Sequence, residues 1–345
     1  MASSLRLPSA LGALVSLAPR AREAPAAAWI QPFGAMIGGG TVHVNGRVLA
    51  GREPFHDGGS WGGRLRTLWA RWETDELPGV TVRATACGAT ASARTDAEGY
   101  FAVAIPLGRR RAVAPFTPVE LRVQGAARRV VQASVPGRDA RFVVVSDVDD
   151  TALVAHATSR LRQFRALYLT EAADRDPVPG MAPLYRALAL GAGGAPEHNP
   201  ISYVSSCPAN LIGVVRAALT LNGFPAGPMD LPDVGVDDDK VIKDGHLEHK
   251  TDAVERILGV WPDLGALLFG DTGQADPEVF ERVVDDHPGR VRGVFLRDAP
   301  GGDAARADAA VERLRQRGVR ATRFDRADRL RAELAEVGWV LPAVR

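Results

Sequence analysis

The pattern of apolar and polar positions in residues 41–140 predicts short β-strands separated by turns. Apolar side chains alternate with polar ones, and glycine, proline and aspartate separate the runs. The segment Thr95–Phe101 is typical of a hairpin, because polar turn residues and a glycine precede aromatic residues that return into a strand. Short strands at this spacing predict a small β-sandwich. The predicted strands are Thr41–Leu49, Gly79–Cys87, Ala91–Thr95, Tyr100–Ile105, Glu120–Val123 and Arg129–Ser134.

From Arg141 onward, strand-like runs alternate with helical ones. This alternation predicts an α/β domain whose parallel sheet is covered by helices on both faces. In such a sheet the chemistry lies beyond the carboxyl ends of the strands. The predicted strands are Phe142–Ser146, Ile201–Ser205, Ala266–Gly270, Val291–Leu296 and Val319–Phe324. The predicted helices are Asn210–Asn222, Thr251–Val260, Pro277–Asp285, Asp303–Arg317 and Arg326–Glu336.

The length of 345 residues suits two domains. We place a flexible N-terminal segment at residues 1–35, the β-sandwich-like domain at 36–138 and the α/β domain at 139–345. Residues 1–140 carry 17 Arg, no Lys and 10 acidic residues, a net charge of +7. Residues 141–345 carry 22 Arg, 3 Lys and 31 acidic residues, a net charge of −6. This asymmetry indicates either two modules with different partners or uneven surface charge.

Composition excludes several classes of protein. Apolar residues make up 46% and charged residues 24% of the chain, a balance that excludes collagen, coiled coil and wholesale disorder. No apolar run is long enough to form a spanning helix. The two cysteines, Cys87 and Cys207, are too few for a disulfide framework or a cysteine-built metal site.

Two segments keep alternative interpretations. Residues 11–17 are mildly apolar after the single basic residue Arg6, so export by a weak N-terminal signal stays open beside the expected cytoplasmic location. Residues 64–76 break the β pattern with leucine and tryptophan at helical spacing beside arginines. This segment predicts a helix packed on the sandwich, with a helix lying on anionic lipid as the alternative.

The strongest chemical signal is the segment Arg141–Thr151. A buried strand ends there and delivers Asp147, Asp149 and Asp150 into one loop, which is electrostatically unfavourable without a cation. Alternate residues of an extended turn place Asp147 and Asp149 near one point. This arrangement suits a nucleophilic carboxylate beside a general acid/base, and the alternative is an acidic loop that caps a helix.

A second apolar run ends in acidic residues at Leu267–Phe280. Asp271 and Asp276 supply oxygen ligands of the kind that Mg²⁺ takes, and Gly270 and Gly273 let the loop approach a ligand closely. A glycine–aspartate turn with a capping aspartate is the common alternative for one such loop. Two acidic loops after two core strands favour a shared site.

A third strand end supplies hydroxyl groups at Ser205 and Ser206, which can donate hydrogen bonds to a phosphoryl oxygen. The neighbouring Cys207 does not indicate a cysteine phosphatase, because that chemistry needs an arginine six residues later and Gly213 occupies the position. Lys250 precedes a predicted helix and can place a positive charge on a phosphate or on the nucleophile.

Together these residues resemble the four motifs of the haloacid dehalogenase superfamily of phosphotransferases, in the same order. The motifs are Asp147, Asp149 and Thr151 in one loop, Ser205, Lys250, and the pair Asp271 and Asp276. The sequence around these motifs is similar to that of the actin-patch phosphatidate phosphatase family, which is distantly similar to lipins. The segments that carry this resemblance are SDVDDT, PVPGMAPLY, YVSSCPANL, NGFPAGPMDL and GDTGQADPE.

The resemblance implies a haloacid-dehalogenase-like Rossmannoid sheet in residues 139–345 and a role for each motif residue. Asp147 would be the nucleophile, and Asp149 would protonate the leaving oxygen and then activate water. Lys250 would act in catalysis and, with Thr151, Ser205 and Ser206, would bind the phosphoryl group. The implied Mg²⁺ ligands are Asp147, the Asp149 main-chain carbonyl, Asp271 and Asp276.

The leading hypothesis is therefore a Mg²⁺-dependent phosphatase that converts phosphatidate to diacylglycerol and phosphate. Its partner would be phosphatidate or a related anionic phospholipid, reached by peripheral docking of the basic front half. A soluble phosphomonoester is the alternative substrate, because the motifs fix the chemistry and the connections select the substrate. A non-catalytic lipid-binding module is a further alternative, although both Asp147 and Asp149 are present. No motif indicates nucleic-acid binding.

Overall fold

The computed structural model describes residues 27–51, 76–154, 175–231 and 242–343, with the backbone alone for 242–247. These residues form a seven-stranded sheet followed by a separate parallel six-stranded sheet with helices. The helix predicted at 64–76 lies outside the described residues except for Glu76. No described helix is long and apolar enough to cross a bilayer.

The first sheet contains seven strands in the order β4-β3-β6-β7-β1-β2-β5. Neighbouring strands run antiparallel, except that β1 and β7 pair in parallel. The strands are β1 (Ala28–Gly38), β2 (Thr41–Ala50), β3 (Thr81–Ala86), β4 (Ala89–Arg94), β5 (Tyr100–Pro106), β6 (Phe116–Arg122) and β7 (Arg129–Ser134).

The β-sandwich predicted for this region stays a prediction. A sandwich has two stacked sheets, whereas here all seven strands belong to one hydrogen-bonded sheet, whose two halves are joined by two paired positions between β1 and β7. Its edge strands β4 and β5 lie close together, so the sheet curls around one apolar core. Alternating burial, as along β5, shows which face of a strand is inward but does not show how the strands divide between sheets.

Strand β1 was not among the predicted strands. It begins at Ala28 and therefore includes residues assigned by sequence to a flexible terminal segment. Its pattern is irregular, because Pro32 interrupts the run and the register against β2 shifts between Pro32 and Gly34. Such a bulge breaks the alternation on which strand prediction depends.

The second sheet is parallel throughout, with the order β10-β9-β8-β11-β12-β13. Five of its strands confirm the sequence prediction to within about a residue at each end, and only the two-residue β10 is new. The strands are β8 (Phe142–Asp147), β9 (Ile201–Val204), β10 (Met229–Asp230), β11 (Gly265–Asp271), β12 (Val291–Arg297) and β13 (Arg320–Phe324).

Helices cover both faces of the second sheet, as predicted. Phe142 and Val144 of β8 belong to the apolar cluster with α1, α2 and α6, whereas Val143 and Val145 belong to the cluster with α3, α4 and α5. Burial on both faces explains why β8 reads as a continuous apolar run. The helices are α1 (Met181–Leu190), α2 (Ile212–Leu221), α3 (Ile242–Val260), α4 (Asp276–Asp286), α5 (Ala304–Gln316) and α6 (Ala327–Glu336).

The two sheets pack against each other through β1. Phe33 belongs to an apolar cluster of the second sheet, and Trp261 Nε1 donates a hydrogen bond of 2.9 Å to the Ile37 carbonyl. A Cβ added at Gly38 would lie 1.9 Å from the Val260 carbonyl oxygen. Only glycine therefore allows the end of β1 to approach the end of α3.

Candidate active site

Three neighbouring strands of the second sheet end at residues that the sequence predicts to be catalytic or ligand-binding. Strand β8 ends at Asp147, β9 is followed by Ser205, and β11 ends at Asp271. Because β8 lies between β9 and β11 and all three are parallel, their carboxyl ends meet at one edge of the sheet. The three predicted loops therefore form a single site.

The loop after β8 is a tight, buried turn. The Ala152 and Leu153 N–H groups both donate to the Val148 carbonyl at 3.0 Å, and the Asp150 N–H donates to the Leu153 carbonyl at 2.7 Å. Asp150 has a φ of 58°, in the left-handed region that aspartate tolerates better than most residues. This turn holds Asp147 and Asp149 on the same short loop.

Asp147 forms a buried ion pair with Lys250. The Lys250 Nζ donates hydrogen bonds to Asp147 Oδ1 at 2.8 Å and to Asp276 Oδ1 at 2.5 Å. Burial alone would lower the pKa of Lys250, but the two carboxylates outweigh it and raise that pKa. The lysine therefore stays charged and fixes the orientation of Asp147.

Asp149 has a different setting. The Ser205 hydroxyl donates to Asp149 Oδ2 at 2.9 Å and accepts a hydrogen bond of 3.0 Å from the Cys207 N–H. Burial raises the pKa of Asp149 against the opposing charge of Arg175. A buried carboxyl group with a raised pKa beside the strand-end carboxylate Asp147 can act as a general acid.

The loop after β11 is organised by its own carboxylates. Asp276 Oδ2 accepts from the Asp271 N–H at 2.9 Å, and Asp271 Oδ1 accepts from the Gly273 and Gln274 N–H groups. A Cβ at Gly270 would lie 2.6 Å from Asp276 Oδ2, so glycine is needed there. Burial and Asp276 raise the pKa of Asp271 to about 8.

The carboxylates of Asp147, Asp271 and Asp276 form a cluster that fits a hard cation. One ligand oxygen from each lies within 4.8 Å of the others, and all three residues are buried. Asp147 Oδ2 and Asp271 Oδ2 have no hydrogen-bond partner in the described structure. Carboxylate oxygens are the donors that Mg²⁺ prefers, and buried oxygens without partners are costly. The donor set therefore fits Mg²⁺.

A family comparison covers most of the segment that forms this site. Residues 142–298 match the model described as phosphatidate phosphatase APP1, catalytic domain. The resemblance to the actin-patch phosphatidate phosphatases is confirmed for these residues, and the family indicates a phosphatase of lipid metabolism.

Two other comparisons add little. No curated protein matches the chain. The chain is similar to a carbohydrate acetylesterase from Xanthomonas citri at 10% identity and TM-score 0.30, covering 85% of this chain and 66% of that one. It is also similar to an acetyl xylan esterase from the rumen bacterium Butyrivibrio proteoclasticus at 12% identity and TM-score 0.23, covering 90% of this chain and 96% of that one. At these TM-scores the likenesses carry no argument.

The other predicted residues lie around the APP1-type site. Thr151 is fully buried, and its Oγ1 has no hydrogen-bond partner in the described residues, whereas Ser206 is half-buried. The side chain of Asp149 is not part of the three-carboxylate cluster, and its main-chain carbonyl accepts a 3.4 Å hydrogen bond from Gln274 Nε2. Burial raises the pKa of the Cys207 thiol, which makes it a poor nucleophile.

Sequence reasoning missed the arginines that support the APP1-type loops. Arg297, at the end of β12, donates to the Asp150 carbonyl at 2.5 Å, and Arg306 of α5 donates to the Thr272 carbonyl at 3.2 Å. Arg175 is buried, and its charge acts on Asp149. The position of Arg297 at a strand end could have indicated from the sequence that it lies near the site. No sequence signal marked Arg175 or Arg306, because the fold alone brings them there.

Proposed function

We propose that the protein is a Mg²⁺-dependent phosphoric monoester hydrolase of the haloacid-dehalogenase type, with an aspartyl-phosphate intermediate. The observation that carries the proposal is the pair of buried carboxylates two residues apart. Asp147 contacts the charged Lys250, whereas Asp149 contacts the neutral Ser205 hydroxyl. The order of strands around β8, with the site at its carboxyl end, supports this fold assignment.

In this mechanism a carboxylate oxygen of Asp147 attacks the phosphorus atom, and the bond from phosphorus to the ester oxygen breaks. Asp149 gives its proton to that leaving oxygen, so the alcohol departs neutral. Water then attacks the phosphorus of the aspartyl phosphate and loses a proton to Asp149. The products are inorganic phosphate and the two carboxyl groups in their starting states.

Lys250 holds Asp147 in place throughout, because its Nζ pairs with two carboxylates of the site, Asp147 and Asp276. Asp271 and Asp276, with Asp147, would hold Mg²⁺, and the Asp149 carbonyl is the further ligand that the resemblance implies. Bound Mg²⁺ would supply positive charge against the phosphoryl oxygens. Without it, burial raises the pKa of Asp147, and the neighbouring carboxylates add to this against the pull of Lys250.

We infer from the family description that the substrate is phosphatidate, which would yield diacylglycerol and phosphate. Access to a lipid requires docking at the end of the molecule that holds the site. In the front sheet, Arg122 and Arg128 lie at the turn between β6 and β7, where they share the single acidic partner Glu120, at the same end as the start of β1. The exposed residues 109–111 lie near the opposite hairpin, beside Gly40. Arg122 and Arg128, rather than residues 109–111, are therefore the proposed contact with anionic lipid.

A substrate panel tests the proposed function. Purified protein with Mg²⁺ is assayed for phosphate release from phosphatidate, lysophosphatidate, diacylglycerol pyrophosphate and soluble phosphate esters, before and after chelation. We expect Mg²⁺-dependent release with phosphatidate preferred. Preference for a soluble ester would favour the alternative substrate, and undiminished release after thorough chelation would contradict the metal requirement.

A further inference from the structure

The loop that follows β9, residues 205–211, is held at both ends. At one end Ser205 donates its hydroxyl hydrogen to Asp149 Oδ2 and accepts from the Cys207 N–H. At the other end the Asn210 Oδ1 accepts a hydrogen bond of 3.1 Å from Arg47 Nη1. Arg47 belongs to β2 of the front sheet, outside the segment that matches the family model. We call residues 205–211 the Ser205 loop.

Arg47 is a fixed anchor. Its Nε donates to the Glu98 carbonyl at 2.8 Å, its Nη2 pairs with Glu76 Oε1 at 2.8 Å, and its guanidinium lies 4.8 Å from the centre of the Tyr100 ring. Only 5% of the residue is exposed. The planar guanidinium presents its donors in a rigid fork, so these contacts fix where Nη1 meets Asn210.

The helix that follows the Ser205 loop has a second attachment to the front sheet. Arg216 of α2 donates from one Nη2 to the Pro32 and Phe33 carbonyls at 2.9 and 2.8 Å. These carbonyls lie where the register between β1 and β2 shifts, and a bulge interrupts the ladder at such a point. Arg216 therefore fixes α2, while Arg47 fixes the loop that leads into it.

We propose that Arg47 is a positioning residue for the proposed acid Asp149 and its hydrogen-bond partner Ser205, and that it acts through Asn210. Asn210 follows Ser205 by only five positions in the sequence. The loop between them includes Cys207, whose N–H donates to the Ser205 hydroxyl. Loss of the anchor lets the loop move, and the hydrogen bond that orients Asp149 lengthens. The catalytic consequence rests on the proposed function, whereas the positioning itself does not.

The first test measures the loop directly and needs no activity. Arg47→Met, Asn210→Ala and the double variant are compared with Arg83→Met, which makes the same change at an exposed arginine of β3. Hydrogen exchange of residues 205–211 should rise about tenfold in both single variants, the effect expected for one hydrogen bond to a charged group. It should rise no further in the double variant and stay unchanged in Arg83→Met.

The second test separates positioning from general support. We expect kcat on a soluble phosphate ester to fall about tenfold in Arg47→Met and Asn210→Ala, with KM changed less than about twofold, because neither residue touches the substrate. Asn210→Asp keeps an acceptor oxygen for Arg47 and should retain wild-type kcat and wild-type exchange.

Three results would overturn the proposal. The first is hydrogen exchange of residues 205–211 in Arg47→Met that matches the wild type. The second is a rise in exchange that is equally large in β8 and β11. The third is a double variant in which the exchange increases of Arg47→Met and Asn210→Ala add. If Arg47→Met does not fold, the half-buried Asn210 variants decide the question alone. A wild-type protein without phosphatase activity would refute the proposed function, and the exchange results would still decide the role of Arg47.

Discussion

The two ends of the six-stranded sheet bury acidic residues in opposite ways. At the amino end, Glu197 accepts hydrogen bonds at both oxygens and is paired with Arg141 at 2.9 Å. At the carboxyl end, Asp147 and Asp271 each keep one buried oxygen without a partner among the described residues. The same type of side chain is saturated at one end and left with free acceptors at the other.

The contrast extends to charge. Burial would raise the pKa of Glu197, but hydrogen bonds from Arg141 and Asn199 outweigh it and hold that pKa below its usual value. At the carboxyl end, burial and neighbouring carboxylates raise the pKa of Asp147 and Asp271. Saturated carboxylates stabilise the fold, whereas unsaturated and mutually repelling ones indicate a place where a ligand binds.

The largest expected effect is at Asp147. Asp147→Asn removes the proposed nucleophile, so phosphate release should fall to background, more than about 10⁴-fold. Glu197→Gln, a matched change at the other end of the sheet, should keep kcat within about twofold. Steady-state assays on the preferred substrate check both, and residual turnover of a few per cent in Asp147→Asn would break the comparison.

The next effect is at Asp149. Asp149→Asn should lower kcat by about 10²–10⁴-fold, because the leaving oxygen then receives no proton from a positioned acid. The loss should shrink for a phosphate ester whose alcohol is a good leaving group, since such a leaving group needs less protonation. An equal loss for good and poor leaving groups would remove the acid role from Asp149.

Glu197→Gln should reduce stability by about 1–3 kcal/mol at neutral pH, because it weakens a buried, hydrogen-bonded ion pair. The folded pKa of Glu197 is lowered, so its contribution is present above the unfolded pKa and is lost as pH falls through the folded pKa. The difference from wild type should therefore shrink in acid. Urea unfolding at pH values near 7 and 3 measures it, and a difference independent of pH would contradict the ion-pair account.

The smallest expected effect has the opposite sign. Asp271→Asn replaces a carboxyl group whose ionised form the buried cluster disfavours, and it keeps an oxygen for the Gly273 and Gln274 N–H groups, so the chelated protein should gain about 1 kcal/mol. The same variant should lose the stabilisation that Mg²⁺ gives the wild type. Thermal unfolding with chelator and with Mg²⁺ checks both, and equal Mg²⁺ stabilisation of the two proteins would count against the cluster as the metal site.

The parallel sheet was predictable because its strands are buried on both faces and form continuous apolar runs, as in Val143–Val145. The candidate residues at strand ends were predictable for the same reason, since parallel topology brings Asp147, Ser205 and Asp271 together. The front sheet was less predictable, because alternation gives strands but not the arrangement that closes the sheet.

Long-range support was beyond the sequence pattern. Arg47 contacts Asn210 across 163 residues, and Arg216 meets the bulge in β1 across 184. In a chain with 39 arginines, no local feature distinguishes these two from the rest. Their contacts follow from buried geometry that only the packed sheets create.

The most direct test of the account is chemical trapping of the intermediate. Enzyme turning over substrate with Mg²⁺ is quenched and reduced with borohydride, which converts an aspartyl phosphate to homoserine, and peptides are read by mass spectrometry. The account predicts homoserine at position 147, absent in Asp147→Asn and without substrate. Reduction at another aspartate, a phosphorylated Ser205, or phosphate release with no trapped residue would contradict it.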